Sequence, residues 1–461
     1  MAIKILIFPI RLAWRIFTRV FTAVLLPVSA TVWLVRVLCY FTDIRRADLV
    51  VLMTRPDGFG HSIQGPDVVR RLAPGKRILF FIASGRFENN PAVSQLFHDM
   101  QVIFIPRFVV DIQFPDEGKL VLPFKKLHDA MVQWLTRRIV GLVGGETTRF
   151  AELTEIYREM IDARRSRPVS EQGAKFWNGD HAWEIGYAEL GFRQPAPSLR
   201  LPENMVAEMK KKFRNLWRDA GRGDDPKLCC LYLRYEKPKA QAGSLRNTGD
   251  VEGVFPAIRL LNDAGYQVAL VGDRKTTPEM RREFKGGLVD DASIGCKRDI
   301  YQLFAASEAD IFIGNNGGGM VLPQINVIPC LMIDYYPIAS AYWNAWHYYK
   351  AAFFEDGTPV PPRRLLAEYS YDLHCSYGSL RDNSSEEICD AITAFLEDMK
   401  TPGGVDPHAD IAALMPRDTP FALSNARISP AWVRKYVLNP EAGEEDGLAG
   451  VDEEPVRQER A

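Results

Sequence analysis

Asp310-Ile-Phe-Ile-Gly-Asn-Asn-Gly-Gly-Gly-Met320 is the stretch on which the fold turns. A short apolar run breaks into two asparagines and three consecutive glycines, and Met320–Asn326 then reads as a helix. A buried strand that enters a helix through glycines lets the backbone approach a ligand closely. The helix N-terminus adds N–H groups and partial positive charge, so a phosphate or pyrophosphate is the natural guest. No Lys-Ser/Thr follows the glycines, which excludes a P-loop. A tight turn with no ligand is the alternative.

Outward from this point the chain alternates strands and helices. Leu228–Leu233, Tyr266–Gly272, Asp310–Gly314 and Ile328–Asp334 are short apolar runs that read as buried strands. Between and after them, Val251–Ala264, Ile300–Ala306, Met320–Asn326 and Ser384–Met399 read as helices. Gly265 stops the first, and Ser384 or Ser385 caps the last. Such alternation predicts a parallel sheet with crossover helices, a Rossmann-like unit whose ligand lies beyond the carboxyl ends of the strands. The residues at those ends are the candidates: Arg234, Arg246, Asn247, Asp273, Asn315, Asn316, Gly317 and Gly318. Each has a plainer reading. Arg234 could pair with Glu236 at the rim, Arg246 and Asn247 could cap the next helix, and so could Asp273. Asp299 reads as a helix cap. Tyr335, Tyr336, Tyr342, Trp343, Trp346, Tyr348 and Tyr349 read mainly as the packed side of a helix, with base or sugar stacking as the alternative.

The first half repeats the pattern. Leu49–Met53, Arg77–Ala83 and Val102–Ile105 read as strands, with helices at Gln64–Leu72 and Pro91–Met100. Residues 124–222 read as mainly helical, and Gly221–Pro226 as a domain boundary. Gly58-Phe-Gly-His61-Ser62 reads as a loop after the first strand. Histidine is the side chain suited to take a proton at neutral pH, so His61 is the candidate base; a structural histidine is the alternative. Arg86, Asn89 and Asn90 border the same edge.

The length of 461 residues suits two domains. A net charge of −1 argues against a nucleic-acid partner. Seven cysteines without a CxxC or zinc spacing suggest reduced thiols. Residues 1–41 are apolar, with Arg11, Arg15 and Arg19 on one helical face, as in a helix lying in the headgroup layer. Val20–Val35 is interrupted by Pro27 and ended by Arg36, short of the ~20 residues a span needs. A signal peptide and a helical hairpin packed on the protein itself are the rivals. Arg45 and Arg46 favour a cytoplasmic body. The expected organisation is a membrane-associating segment (1–46), an N-terminal Rossmann-like domain (47–222), a C-terminal one (223–400), an extension (401–438) and a disordered acidic tail (439–461).

One ordered series carries a resemblance. It runs Leu231-Tyr-Leu-Arg234, Leu245-Arg-Asn247 with Asp250, Ala257-Ile-Arg-Leu-Leu261, Gly265-Tyr-Gln-Val268, Gly272-Asp273, Asp299-Ile-Tyr-Gln-Leu-Phe304 and Phe312-Ile-Gly-Asn-Asn-Gly-Gly318. Over residues 227–400 the chain resembles a family of bacterial glycosyltransferases of GT-B type, and more distantly fucosyltransferase-like enzymes; Gly60-His61 fits it as well. The resemblance implies two Rossmann-like domains facing each other across a cleft. It also implies transfer of a sugar from a nucleotide-sugar held by the C-terminal domain. Arg234 matches the arginine closing the first donor-domain strand, and Asn247 the Arg-Asn of its loop. Asn316-Gly317 stands where such proteins tend to carry Ser-Gly, so that serine is absent here. With no Asp-x-Asp at a strand end, the expected mechanism is metal-independent, with no cofactor beyond the nucleotide-sugar substrate. The expected acceptor is a glycan or lipid-linked molecule at the cytoplasmic face of the inner membrane. A non-catalytic nucleotide-binding protein and a nucleotide-sugar epimerase are the alternatives.

Overall fold

A computed structural model describes residues 26–54, 59–84, 90–106, 118–165, 187, 190, 194, 196, 198–234, 252–272, 276–336, 338, 341–368, 377–400, 408–416, 419, 421–422 and 424–439. The chain divides into two compact units, Met1–Met160 and Ile161–Ala461.

The first unit is built on four parallel strands, β1 (Leu49–Met53), β2 (Ile78–Ser84), β3 (Gln101–Pro106) and β4 (Arg149–Glu152), in the order β3-β2-β1-β4. β1 and β2 are apolar along almost their whole length because both faces are covered. On one face lies the helix Phe59–Leu72. Gly65 permits the close approach, since a Cβ there would stand 2.8 Å from Leu153 Cδ2 and 3.3 Å from Met53 Sδ. On the other face lie a helix over residues 26–38, the helix Phe41–Arg46 and the helix Gly118–Val143. Trp33, Val37 and Ile44 are buried there with Val50, Leu52, Leu79 and Phe81. Trp33 Nε1 donates to Thr136 Oγ1 at 3.0 Å, and Ser29 Oγ and His128 Nε2 lie 2.9 Å apart.

Residues 26–46 therefore pack on the sheet of their own unit. Residues 1–25 lie outside the described residues. Among the described residues no helix is long and apolar enough to cross a membrane. Three local expectations change. Phe59 to Ser62 form the first turn of a helix, not a loop. Pro91–Leu96 is a 3₁₀ turn capped by Asn90 and ends before β3, instead of a helix running to Met100. β4 interrupts the region read as helical; its charged ends, Arg149 and Glu152, hide the apolar signal.

The second unit carries β5 (Lys227–Leu233), β6 (Tyr266–Gly272), β7 (Leu288–Val289), β8 (Ile311–Gly314), β9 (Cys330–Tyr335), β10 (Ala345–Tyr349), β11 (Ala351–Phe353), β12 (Ser379–Arg381) and β13 (Arg427–Ile428). Seven form one parallel sheet in the order β13-β10-β9-β8-β5-β6-β7. β11 and β12 form a separate antiparallel pair. Crossover helices Phe255–Asp263, Arg298–Glu308 and Val321–Ile325 join successive strands.

The helix Glu203–Asp219 belongs with this unit. It buries Met209, Phe213 and Trp217, and Phe213 packs 5.2 Å from Phe304, ring to ring. The stretch 221–226 thus falls inside the second unit, between this helix and β5. The aromatic run is packed, as expected, but in β9, β10 and the turn between them instead of a helix. Tyr335, Tyr348 and Tyr349 are buried, and such side chains suit a pleated surface. Ser384, not Ser385, caps Ser385–Asp398, in a capping box with Glu387.

Candidate functional site

In the second unit the chain passes from β5 to β6 and β7 on one side, then returns to β8 on the other. The strand order reverses between β5 and β8, where parallel sheets open a crevice at their carboxyl ends. Arg234 follows β5 there, and Asn315–Gly319 follow β8. The Arg234 N–H donates to Asn315 Oδ1 at 3.1 Å. Asn315 Nδ2 donates to the Ile333 carbonyl at 3.4 Å. Asn316 Nδ2 donates to the Tyr336 carbonyl at 3.2 Å, and its Oδ1 accepts from the Tyr342 hydroxyl at 2.7 Å. Both asparagines are buried. Their side chains staple the loop to the ends of β5 and β9, so any contact to a ligand falls to the loop backbone. Gly317, Gly318 and Gly319 are half-buried, so solvent reaches that backbone.

The glycines also have a packing cause. A Cβ on Gly314 would stand 2.4 Å from the Tyr232 carbonyl oxygen, one on Gly317 2.8 Å from its hydroxyl, and one on Gly319 2.4 Å from its ring. The loop is wrapped on Tyr232. The helix after it is also short: a 3₁₀ turn, Gly318–Met320, then Val321–Ile325. So few aligned peptides give little dipole.

Arg298 was not singled out by sequence reasoning. Its Nη2 donates to the Gly272 carbonyl at the end of β6, which brings a second guanidinium to the same edge. Asp299 lies in the first turn of its helix, not at the cap, which is Lys297. Arg246, Asn247 and Asp273 lie outside the described residues.

Further along the edge, Asp334, the last residue but one of β9, has φ +48°, a conformation regular β strands do not use. It exchanges two bonds with Asn383, whose N–H donates to Asp334 Oδ1 at 2.6 Å. Asn383 Nδ2 also donates to the Tyr349 carbonyl at 3.2 Å, and buried Lys350 pairs with Asp382. These bonds stitch the chain after β12 to the ends of β9 and β10. Nothing local in the sequence signals them, since the partners are 32 to 49 positions apart.

In the first unit the order reverses between β1 and β4. His61 stands half-buried in the first turn of the helix that follows β1. Glu152 ends β4, in register with Leu52. Burial pushes the Glu152 carboxyl above its ordinary range, and the charge of Glu155 adds to this against Arg137 and Arg158. Glu155 moves the other way, because the Glu152 N–H donates to it at 3.0 Å and Arg137 stands 2.9 Å away. A carboxyl biased toward holding a proton at a strand-order reversal is a functional candidate. Among the described residues no three His, Cys, Asp or Glu side chains gather as a metal site.

Strand order and site together define a chain of two Rossmann-like α/β units, each with polar residues at its point of reversal. No protein-family model matches the sequence, and no curated protein does. Among solved structures the chain is similar to the E. coli ADP-heptose LPS heptosyltransferase II, at 13% identity and a TM-score of 0.38, over 77% of this chain and 99% of that one. It is also similar to the wall teichoic acid polymerase TagF, at 9% identity and a TM-score of 0.25, over 70% of this chain and 78% of that one. The fold assignment rests on the strand orders and registers above.

Proposed function

We propose that the chain is a GT-B glycosyltransferase that moves a sugar from a nucleotide-sugar to a hydroxyl acceptor, in surface polysaccharide or glycolipid synthesis. The observation that carries this is the meeting of Arg234 and the Asn315–Gly319 loop at the β5/β8 reversal. In this reading the donor diphosphate lies against the loop N–H groups and the Arg234 guanidinium, with Arg298 as a second cation. Arg246, Asn247 and Asp273 remain proposed donor contacts. Asn315 and Asn316 act by holding the loop. His61 takes the acceptor proton, the acceptor oxygen attacks the anomeric carbon, and the nucleoside diphosphate leaves. Glu152 is the second candidate base, since a raised carboxyl pKa lies closer to the working range. In this reading the reaction needs no metal, and the donor site excludes water during transfer. The acceptor is a glycan or lipid-linked molecule at the cytoplasmic face of the inner membrane.

Nucleoside diphosphates and nucleotide-sugars, titrated in a thermal-shift assay and then assayed for turnover, test this. Arg234→Ala should weaken diphosphate binding about tenfold or more. His61→Ala should leave binding intact and lower turnover by roughly 10²–10⁴. Unchanged turnover in His61→Ala rejects His61 as the base. A non-catalytic nucleotide-binding protein is the second reading, favoured by the commitment of the Asn316 side chain to Tyr336 and Tyr342. Saturable binding without turnover over an acceptor panel would select it, and conversion without any acceptor would select an epimerase.

A further inference from the structure

The helices over residues 26–38 and Gly118–Val143 share one layer on the first unit's sheet. Their inner stripes, Ser29, Trp33 and Val37 on one and His128, Val132, Thr136 and Val140 on the other, are buried. Their outer stripes are apolar too. Val28, Val35 and Leu38 are exposed on the first helix. Leu127, Trp134 and Leu142 are exposed on the second, Trp134 at 58% and Leu142 at 85%. Elsewhere among the described residues the exposed large apolar side chains Leu72, Val327 and Leu438 stand apart in the sequence. Apolar residues gathered on one outer layer mark an interaction surface.

The charges around this layer choose the partner. Arg36, Arg45, Arg46 and Arg138 are exposed on it. Arg138 sits 5.8 Å from the centre of the Trp134 ring. The single acid in Gly118–Val143, Asp129, is buried, and residues 26–38 contain none. Residues 26–46 hold Arg36, Arg45 and Arg46 against Asp43 alone, in a chain whose net charge is −1. Cationic charge is thus concentrated where the apolar side chains are exposed, with a tryptophan at their centre. This is the make-up of a surface that lies in the headgroup layer of an anionic bilayer.

We infer that the outer layer of the first unit, centred on Trp134 and Leu142, docks flat on anionic lipid without crossing the bilayer. The inference rests on this layer, not on the transferase reading, and the two fail separately. Flotation of the full-length chain with phosphatidylcholine vesicles, with and without phosphatidylglycerol, tests it. The wild-type chain should float with the anionic vesicles and much less with the neutral ones. Trp134→Ser with Leu142→Ser should reduce anionic-vesicle binding about tenfold or more, with an unchanged thermal melt because both side chains are exposed. Arg36→Gln with Arg138→Gln should erase most of the preference for phosphatidylglycerol. No flotation of the wild type overturns the proposal. So does undiminished flotation of the Trp134/Leu142 variant, which would assign binding to another part of the chain. Light scattering that shows a wild-type dimer and a monomeric Trp134/Leu142 variant would make the layer a self-interface, and also overturns it.

Discussion

The backbone N–H of Arg234 donates to the side chain of Asn315 across 81 positions of sequence, and that bond joins β5 to the loop after β8. The same asparagine holds the Ile333 carbonyl, so one buried side chain ties three strand ends together.

Replacing it should therefore be costly. Asn315→Ala leaves a strand-end N–H and a buried carbonyl without their partner, at about 2–4 kcal/mol. Asn315→Asp keeps an acceptor for Arg234 but cannot donate to Ile333. Urea denaturation should place it between the wild type and Asn315→Ala, and equal midpoints for the two variants would contradict this assignment.

The glycines of the loop divide by what they touch. Gly319→Ala presses on the Tyr232 ring, whereas Gly314→Ala presses on the Tyr232 backbone oxygen. Tyr232→Ala should rescue the first and not the second. Double-mutant cycles should give a coupling of about 1–3 kcal/mol for the 319/232 pair and near zero for the 314/232 pair.

Parts of this architecture were legible in the sequence. Leu49–Met53 and Tyr266–Gly272 match β1 and β6, because strands covered on both faces are continuous apolar runs. The short strand β4 was not legible, and Glu152 was missed with it. The glycines mark the candidate loop at the β5/β8 reversal, yet their packing against Tyr232 is not visible in the sequence, since Tyr232 lies on a neighbouring strand. The asparagine pair reads from the sequence as ligand contacts. Its role depends on Arg234, Ile333, Tyr336 and Tyr342, brought near only by the finished sheet.

Val327 is a β-branched residue at φ +59°, where a helix terminus prefers glycine. Its N–H donates to Gln324 O at 3.1 Å and the Ile328 N–H to Pro323 O at 2.9 Å, the pattern of a Schellman cap. The side chain is 61% exposed, so little packing is lost on its removal. Val327→Gly should stabilise the second unit by about 1 kcal/mol. A fall in thermal midpoint would refute this.

His347 is fully buried in β10, and burial lowers its pKa to about 4, against a weaker opposing bond to the Arg427 carbonyl. The unfolded chain takes up the proton near pH 6.5, while the folded chain resists until about pH 4. The folded pKa is depressed, so stability is lost as pH falls through this window, by about 3 kcal/mol in total. Denaturant midpoints measured between pH 7 and pH 4 should fall accordingly, and His347→Gln should flatten that part of the profile.

The staple between Arg234 and Asn315 also bears on how the protein comes into being. Its partners are 81 positions apart, and Leu199 and Asn326, which bond in the same unit, are 127 apart. Closing loops of that size is slow and yields nothing until both ends arrive. A nascent chain halted before residue 311 can pair β5 with β6 and β7 and still have no crevice beside β5. The staple between Arg234 and Asn315 forms late in synthesis, when β8 takes its place beside β5.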